Sequence, residues 1–186
     1  MAETWNIPPY PLRWPLQDDQ GKTVDTLHFR PILHGEHAAV LDAHEDDDDR
    51  LLALLELATG APVSLLETLR KPDYNSLAVR IAEMVNKDAA HFMAEKLDAD
   101  NPRLLVPLDV GGRRIDQLTI EVPTLKASRE MQKIDDPRKR SEFITAHCTG
   151  LMVPDLAELS APDWNQLQQR LDDFLNAPAS SFPLAT

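Results

Sequence analysis

Four histidines stand close together early in the chain: His28, His34, His37 and His44, with Glu36 and Glu45 among them. Imidazole and carboxylate groups are ordinary metal ligands. His34 and His37 lie three apart, as two ligands on one helix would. The order of residues is not that of a metalloprotease helix, H-E-x-x-H, and we read the cluster as solvated side chains. The single thiol, Cys148, falls on an apolar stretch, where a small buried hydrophobe fits better than a nucleophile. There is no G-x-S-x-G elbow and no glycine-rich phosphate loop. The nearest stretch, "DVGGRR" (Asp109–Arg114), has the glycines of a hairpin turn. The expected inventory is therefore no catalytic residue, no cofactor and no metal, in a protein that binds rather than catalyses.

Two charged stretches are candidates for binding. "HEDDDD" contains Asp46, Asp47, Asp48 and Asp49, and "DDPRKR" contains Arg138, Lys139 and Arg140. Either can be a solvated helix end, and the aspartates also favour the start of a following helix. Their opposite signs raise the expectation that the two loops attract each other, within one molecule or between molecules.

The totals narrow the classes. The 186 residues carry a net charge of −12. Such a surface repels phosphate backbones and anionic lipid, so neither nucleic acid nor membrane is an expected partner. One cysteine permits no intramolecular disulfide and suits a reducing compartment. The opening "MAETWNIPPYPLRW" lacks the order of a secretory signal, and no apolar run approaches a membrane span. The expected location is the cytoplasm.

The elements that position these residues come twice. "KPDYNSLAVRIAEMV" (Lys71–Val85) and "APDWNQLQQRLDDFL" (Ala161–Leu175) spell one pattern ninety residues apart. "GKTVDTLHF" (Gly21–Phe29) aligns with "GRRIDQLTI" (Gly112–Ile120), and Thr59-Gly60 with Thr149-Gly150. Collinear matches of this extent mark an internal repeat. Each unit reads as a β-hairpin followed by about four helices: "YPLRWPL" then "TVDTLHFR", and "RLLVPL" then "IDQLTIEV". The helices are read at Gly35–His44 and Leu125–Ile134, then at Asp49–Gly60, capped by Asp49, and at its twin Pro137–Gly150. A short helix holds Leu65, Leu66 and Leu69, matched by Leu156 and Leu159. The repeated pattern opens the last helix, with proline at its first position and aspartate against the helix dipole. Tyr74 and Trp164 read as amphipathic core residues near the rim. None of the four histidines recurs, the aligned residues being Thr119, Thr124, Ala127 and Ile134.

The fold class expected is α+β, with unit 1 at 10–87, a helical linker at 88–101, unit 2 at 102–176 and a flexible tail at 177–186. Phe92, Met93 and Leu97 would line one side of a linker that continues the preceding helix. A lone hairpin is marginal, so the two are expected to join in a four-stranded antiparallel sheet, giving one compact body with pseudo-twofold symmetry.

With "GRRIDQLTIEVPT", "CTGL" and "LSAPDWNQLQQRLDDFL", and a second copy in "GKTVDTLHFR", "ATGA" and "LRKPDYNSLAVRIAEMV", the chain resembles the tail assembly chaperones of contractile-tailed, Mu-like and P2-like phages. Members are usually about one unit long, and two units in one chain depart from that pattern. The resemblance implies a protein that binds the tape measure protein in the host cytoplasm before the tail tube polymerises and is absent from the finished particle. A tape measure protein is a long helix with exposed apolar stripes, and a chaperone needs an apolar groove or sheet edge for it and an acidic exterior. Two alternatives belong to other classes: an acidic inhibitor that mimics nucleic acid, and a structural component of the particle.

Overall fold

A computed structural model describes residues 7–93 and 98–182. The described chain is mixed α+β. Strand β1 (Tyr10–Gln17) pairs antiparallel with β2 (Thr23–Leu27). Helices α1 (His34–Ala43), α2 (Asp47–Thr59), α3 (Val63–Leu66) and α4 (Lys71–Asn86) follow. After a single turn, α5 (Ala89–Phe92), the same order recurs. Strand β3 (Arg103–Val110) pairs with β4 (Arg113–Gln117), then come α6 (Leu125–Gln132), α7 (Pro137–Thr149), α8 (Val153–Leu156) and α9 (Ala161–Asn176). A 3-10 turn at Ala179–Ser181 ends the described residues, and Phe182 after it packs on Phe174, where an unpatterned tail was expected. The remainder of that tail, and Leu97 of the linker, lie outside the described residues.

Local chemistry explains the helix ends. Asp46, not Asp49, caps α2, its carboxylate accepting from the amides of Asp48 and Asp49. Asp47, Asp48 and Asp49 then fill the first turn, where the dipole favours negative charge. Asp136 does the same for α7. Both helices stop at a glycine with φ of 71°, Gly60 and Gly150, a left-handed conformation that other residues adopt at a cost. Proline occupies the second rather than the first position of α4 and α9. Helix α4 stops at Asn86, where Lys87 turns extended and Asp88 caps α5 afresh. The linker therefore does not prolong α4.

The hairpins form two separate two-stranded sheets, and the expected four-stranded sheet does not form. The reason is that each first strand packs on the last helix of its own half, β1 on α4 and β3 on α9. Each half then closes its own core. Leu16, Leu55, Leu66, Leu77 and Ile81 are central to the first, and Leu108, Ile144, Leu156, Leu167 and Leu171 to the second. The halves meet through α4 and α9, with α1 and α5 also on α9.

Candidate functional site

The repeated Pro-Asp has a role beyond the helix dipole. In each hairpin the ladder breaks register, between Pro11 and Leu16 in β1 and between Arg103 and Leu108 in β3. Backbone N–H groups in the break lose their cross-strand acceptor. Asp73 supplies one, accepting from the amides of Arg13 and Trp14 at 3.1 Å each and from the Tyr10 hydroxyl at 2.9 Å. Asp163 accepts from the amides of Leu105 at 2.7 Å and Val106 at 3.1 Å and from the Ser160 hydroxyl at 2.6 Å. Both carboxylates are almost wholly buried, at 1% and 2% exposure. Burial pushes the Asp163 carboxyl up to about 6, against the opposing pull of the Ser160 hydroxyl and the two amides. These aspartates fasten each hairpin to its helix. The sequence carried the signal, a Pro-Asp repeated at the start of the last helix of each half, but a first-turn aspartate has a ready explanation in the dipole.

Where the halves meet, residues Ile32–Gly35 run antiparallel to Ala157–Ala161. The His34 amide donates to the Leu159 carbonyl at 2.7 Å, the Gly35 amide to Ala157 at 2.9 Å, and the Ala161 amide to Ile32 at 2.9 Å. The His34 imidazole stacks on the Trp164 indole, centroids 3.8 Å apart and planes within 16°. Gly35 has no room for a side chain, because a Cβ there would lie 2.8 Å from the Ala157 Cβ. Asn165 donates its side-chain amide to the carbonyls of Val85 and Lys87 at the end of α4. Arg138 forks onto Asp42 of α1 at 2.6 and 2.9 Å.

The candidate charges are thus spent differently than expected. Arg138 reaches Asp42 rather than the acidic loop, and among the described residues no ion pair joins the two loops. Asp46 caps α2, Asp47 pairs with Arg50 at 3.0 Å, and Asp48 accepts from the Tyr74 hydroxyl. Asp49 is exposed, as is Lys139. Arg140 donates to the Ile134 carbonyl. The histidines are not uniformly solvated. His28 is exposed, but His34 and His37 are half-buried, and burial lowers both, His34 to about 4. Among the described residues no three histidine, cysteine or carboxylate side chains come together as a metal would need. Cys148 is buried and its thiol is pushed up to about 11, chiefly by desolvation. It is thus protonated at neutral pH.

One groove opens on the first half. It occupies about 470 Å³ beside β2, between that strand and the end of α2 with the start of α3. Val24, Leu27, Ala61 and Leu65 give its lining an apolar part, and Asp18, Asp19, Gln20, Thr26, His28 and Ser64 a polar one. The matching position in the second half, at Thr119, Glu121, His147 and Cys148, is a smaller recess of about 210 Å³. Among the described residues no helix is long and apolar enough to cross a membrane.

No curated protein and no solved structure matches this chain. Residues 101–176, from the end of the linker through α9, match the family model described as phage tail assembly chaperone proteins, E, or 41 or 14.

Proposed function

We propose that this protein is a tail assembly chaperone that binds the tape measure protein and keeps it soluble before the tail tube polymerises, acting in the host cytoplasm and leaving before the particle is complete. The match over residues 101–176 carries the reading. The first half supports it, running through the same elements with the same buried aspartate at the same helix step. On this reading the chain is a tandem repeat that offers two related docking units. Linking them raises the effective concentration of the second once the first is engaged.

The groove beside β2 takes the apolar stripe. Val24, Leu27, Ala61 and Leu65 in its lining are apolar, Asp18 and Asp19 beside them can meet basic residues of the helix, and β2 is the edge of a two-stranded sheet. The net charge of −12 then keeps the complex soluble.

Co-expression with the tape measure protein tests this. The tape measure protein should be soluble only with this chain and should elute with it. Ser64→Arg, which fills the groove from an exposed position, should lower recovery at least several-fold while leaving the thermal midpoint unchanged. An insoluble tape measure protein with nothing co-eluting would sink the reading. Mass spectrometry of purified particles separates a chaperone, which is missing, from a structural component, which is present.

A further inference from the structure

The contact between the halves is head-to-tail. The first half contributes Ile32–Gly35 and the second contributes Ala157–Ala161. A twofold arrangement would use each surface twice, but here each is used once. The counterparts are left over. The helix caps Leu33 and Thr124 correspond, one residue off the sequence alignment that set Thr124 against His34, so Val122–Lys126 is the second half's copy of Pro31–Gly35, and Leu125 stands where His34 does. Glu67–Lys71 is the first half's copy of Ala157–Ala161, and Tyr74 stands for Trp164.

Both leftover surfaces are open. Val122 and Leu125 are 65% and 69% exposed, an apolar pair at the surface. Ser160 and Ala161 are buried, whereas Arg70 and Lys71 are exposed. Among the described residues the amides of Leu125, Lys126 and Lys71 and the carbonyls of Glu67 and Leu69 make no hydrogen bond.

The charges match as well. Within the chain, Asp42 on α1 meets Arg138 at the second position of α7. Lys133 lies as far past its helix cap as Asp42 does, and Asp48 is the second residue of α2. The corresponding pair is Lys133 and Asp48, opposite in charge with the signs exchanged; within the chain Lys133 pairs with Glu130 at 2.7 Å and Asp48 accepts from the Tyr74 hydroxyl, so docking exchanges these exposed partners for each other. The same holds for the surroundings. Lys126 and Arg129 lie on α6 beside Lys133, and Asp46–Asp49 surround Asp48.

We propose that Val122–Lys126 of one protomer docks on Glu67–Lys71 of a second copy of this chain, repeating between molecules the contact that joins the halves. Leu125 then covers the Tyr74 ring of its partner, displacing the exposed Lys71 side chain whose ammonium lies 4.1 Å above that ring. Asn75 caps the end of the other protomer's α9 as Asn165 caps α4. One position differs. Gly35 touches Ala157 too closely for a side chain, whereas Lys126 and Glu67 both carry one, so between protomers the two segments stand further apart at that step, the backbone hydrogen bond made there by Gly35 is not repeated, and an ion pair between the two side chains takes its place. Because the surfaces are unlike, each added copy exposes a fresh pair, and association continues until a ring closes or a filament grows.

Sedimentation velocity on the full chain tests this across a concentration series. The wild type should grow beyond a monomer as concentration rises. Leu125→Glu spoils one surface and Asn75→Glu the other, both at exposed positions, so each alone should remain a folded monomer. Mixed in equal amounts they should form a dimer and stop there, since each keeps one intact surface. Lys133→Glu should weaken association at low salt, and adding Asp48→Lys should restore it. A wild type that stays monomeric throughout, including one captured only by another tail protein, would overturn the proposal. So would a Leu125→Glu variant that associates as well as the wild type.

Discussion

Tyr74 and Trp164 stand at the same step of their helices, directly after the same buried aspartate, yet meet different surroundings. Trp164 is 8% exposed and stacked under an imidazole from the other half. Tyr74 is half-buried, its hydroxyl turned to Asp48 and a lysine over its face. The difference does not come from their own helices. It comes from what covers them: the first half shields Trp164, and among the described residues no ring of the second half covers Tyr74. Asp73 and Asp163 sharpen the lesson. Asp163 shares its site with the buried Ser160 hydroxyl, whereas Asp73 is served by Tyr10, a residue at the start of its strand.

Removing the aspartates should produce the largest effects and should separate the halves. Asp163→Ala leaves two amides and a hydroxyl without an acceptor in the shielded half, and is expected to cost about 3–4 kcal/mol. Asp73→Ala should cost less, about 2 kcal/mol, because the open first half lets water reach the freed groups. Urea unfolding of both variants measures the gap. Equal losses, or a larger loss for Asp73, would mean that the covering half does not set the environment.

Gly35 and Lys126 give the next contrast. They hold the same position in the two halves, one pressed against Ala157 and one exposed. Gly35→Ala should cost about 1–3 kcal/mol through forced separation of the halves. Lys126→Ala in the monomer should change stability by no more than about 0.5 kcal/mol. A harmless Gly35→Ala would show that the seam has slack.

Much of this architecture was legible in the sequence. The hairpins, the glycine stops at Gly60 and Gly150 and the apolar stripes of the last helices follow from spacing and turn chemistry. What was not legible is which surfaces meet. Each hairpin's partner is its own helix, because a buried carboxylate satisfies the broken ladder, and periodicity carries no sign of a hydrogen bond sixty residues away. His34 reads as solvated in the sequence because the ring it stacks on, Trp164, lies 130 residues away in the other half. Asp49 read as the cap because the acidic run offers four candidates, and only geometry selects Asp46. The groove beside β2 lies between elements, so no single stretch of sequence displays it.

The smallest effect is the most specific to the seam. Burial, with the positive charges of His37 and Arg138, holds the His34 imidazole down to about 4 from its ordinary 6.5, and His37 is lowered in the same direction by burial. A base depressed by folding contributes stability above its ordinary value, which is lost as pH falls toward the folded value. Asp163 works the other way. Raised from 3.8 to about 6, it favours the fold at low pH and loses that contribution as pH rises through about 6. Between about 6.5 and about 4 the histidines and Asp163 therefore oppose each other. With His34→Gln and His37→Gln together, the loss of stability between about pH 7 and about pH 5 should shrink, or reverse as Asp163 acts alone. Urea midpoints of the two proteins across that range measure it. The first half's ring, Tyr74, has no histidine over it, so the effect belongs to the shielded ring alone. Parallel pH profiles would mean that His34 protonates as freely as an exposed histidine, and that the stack on Trp164 does not exclude water from the seam.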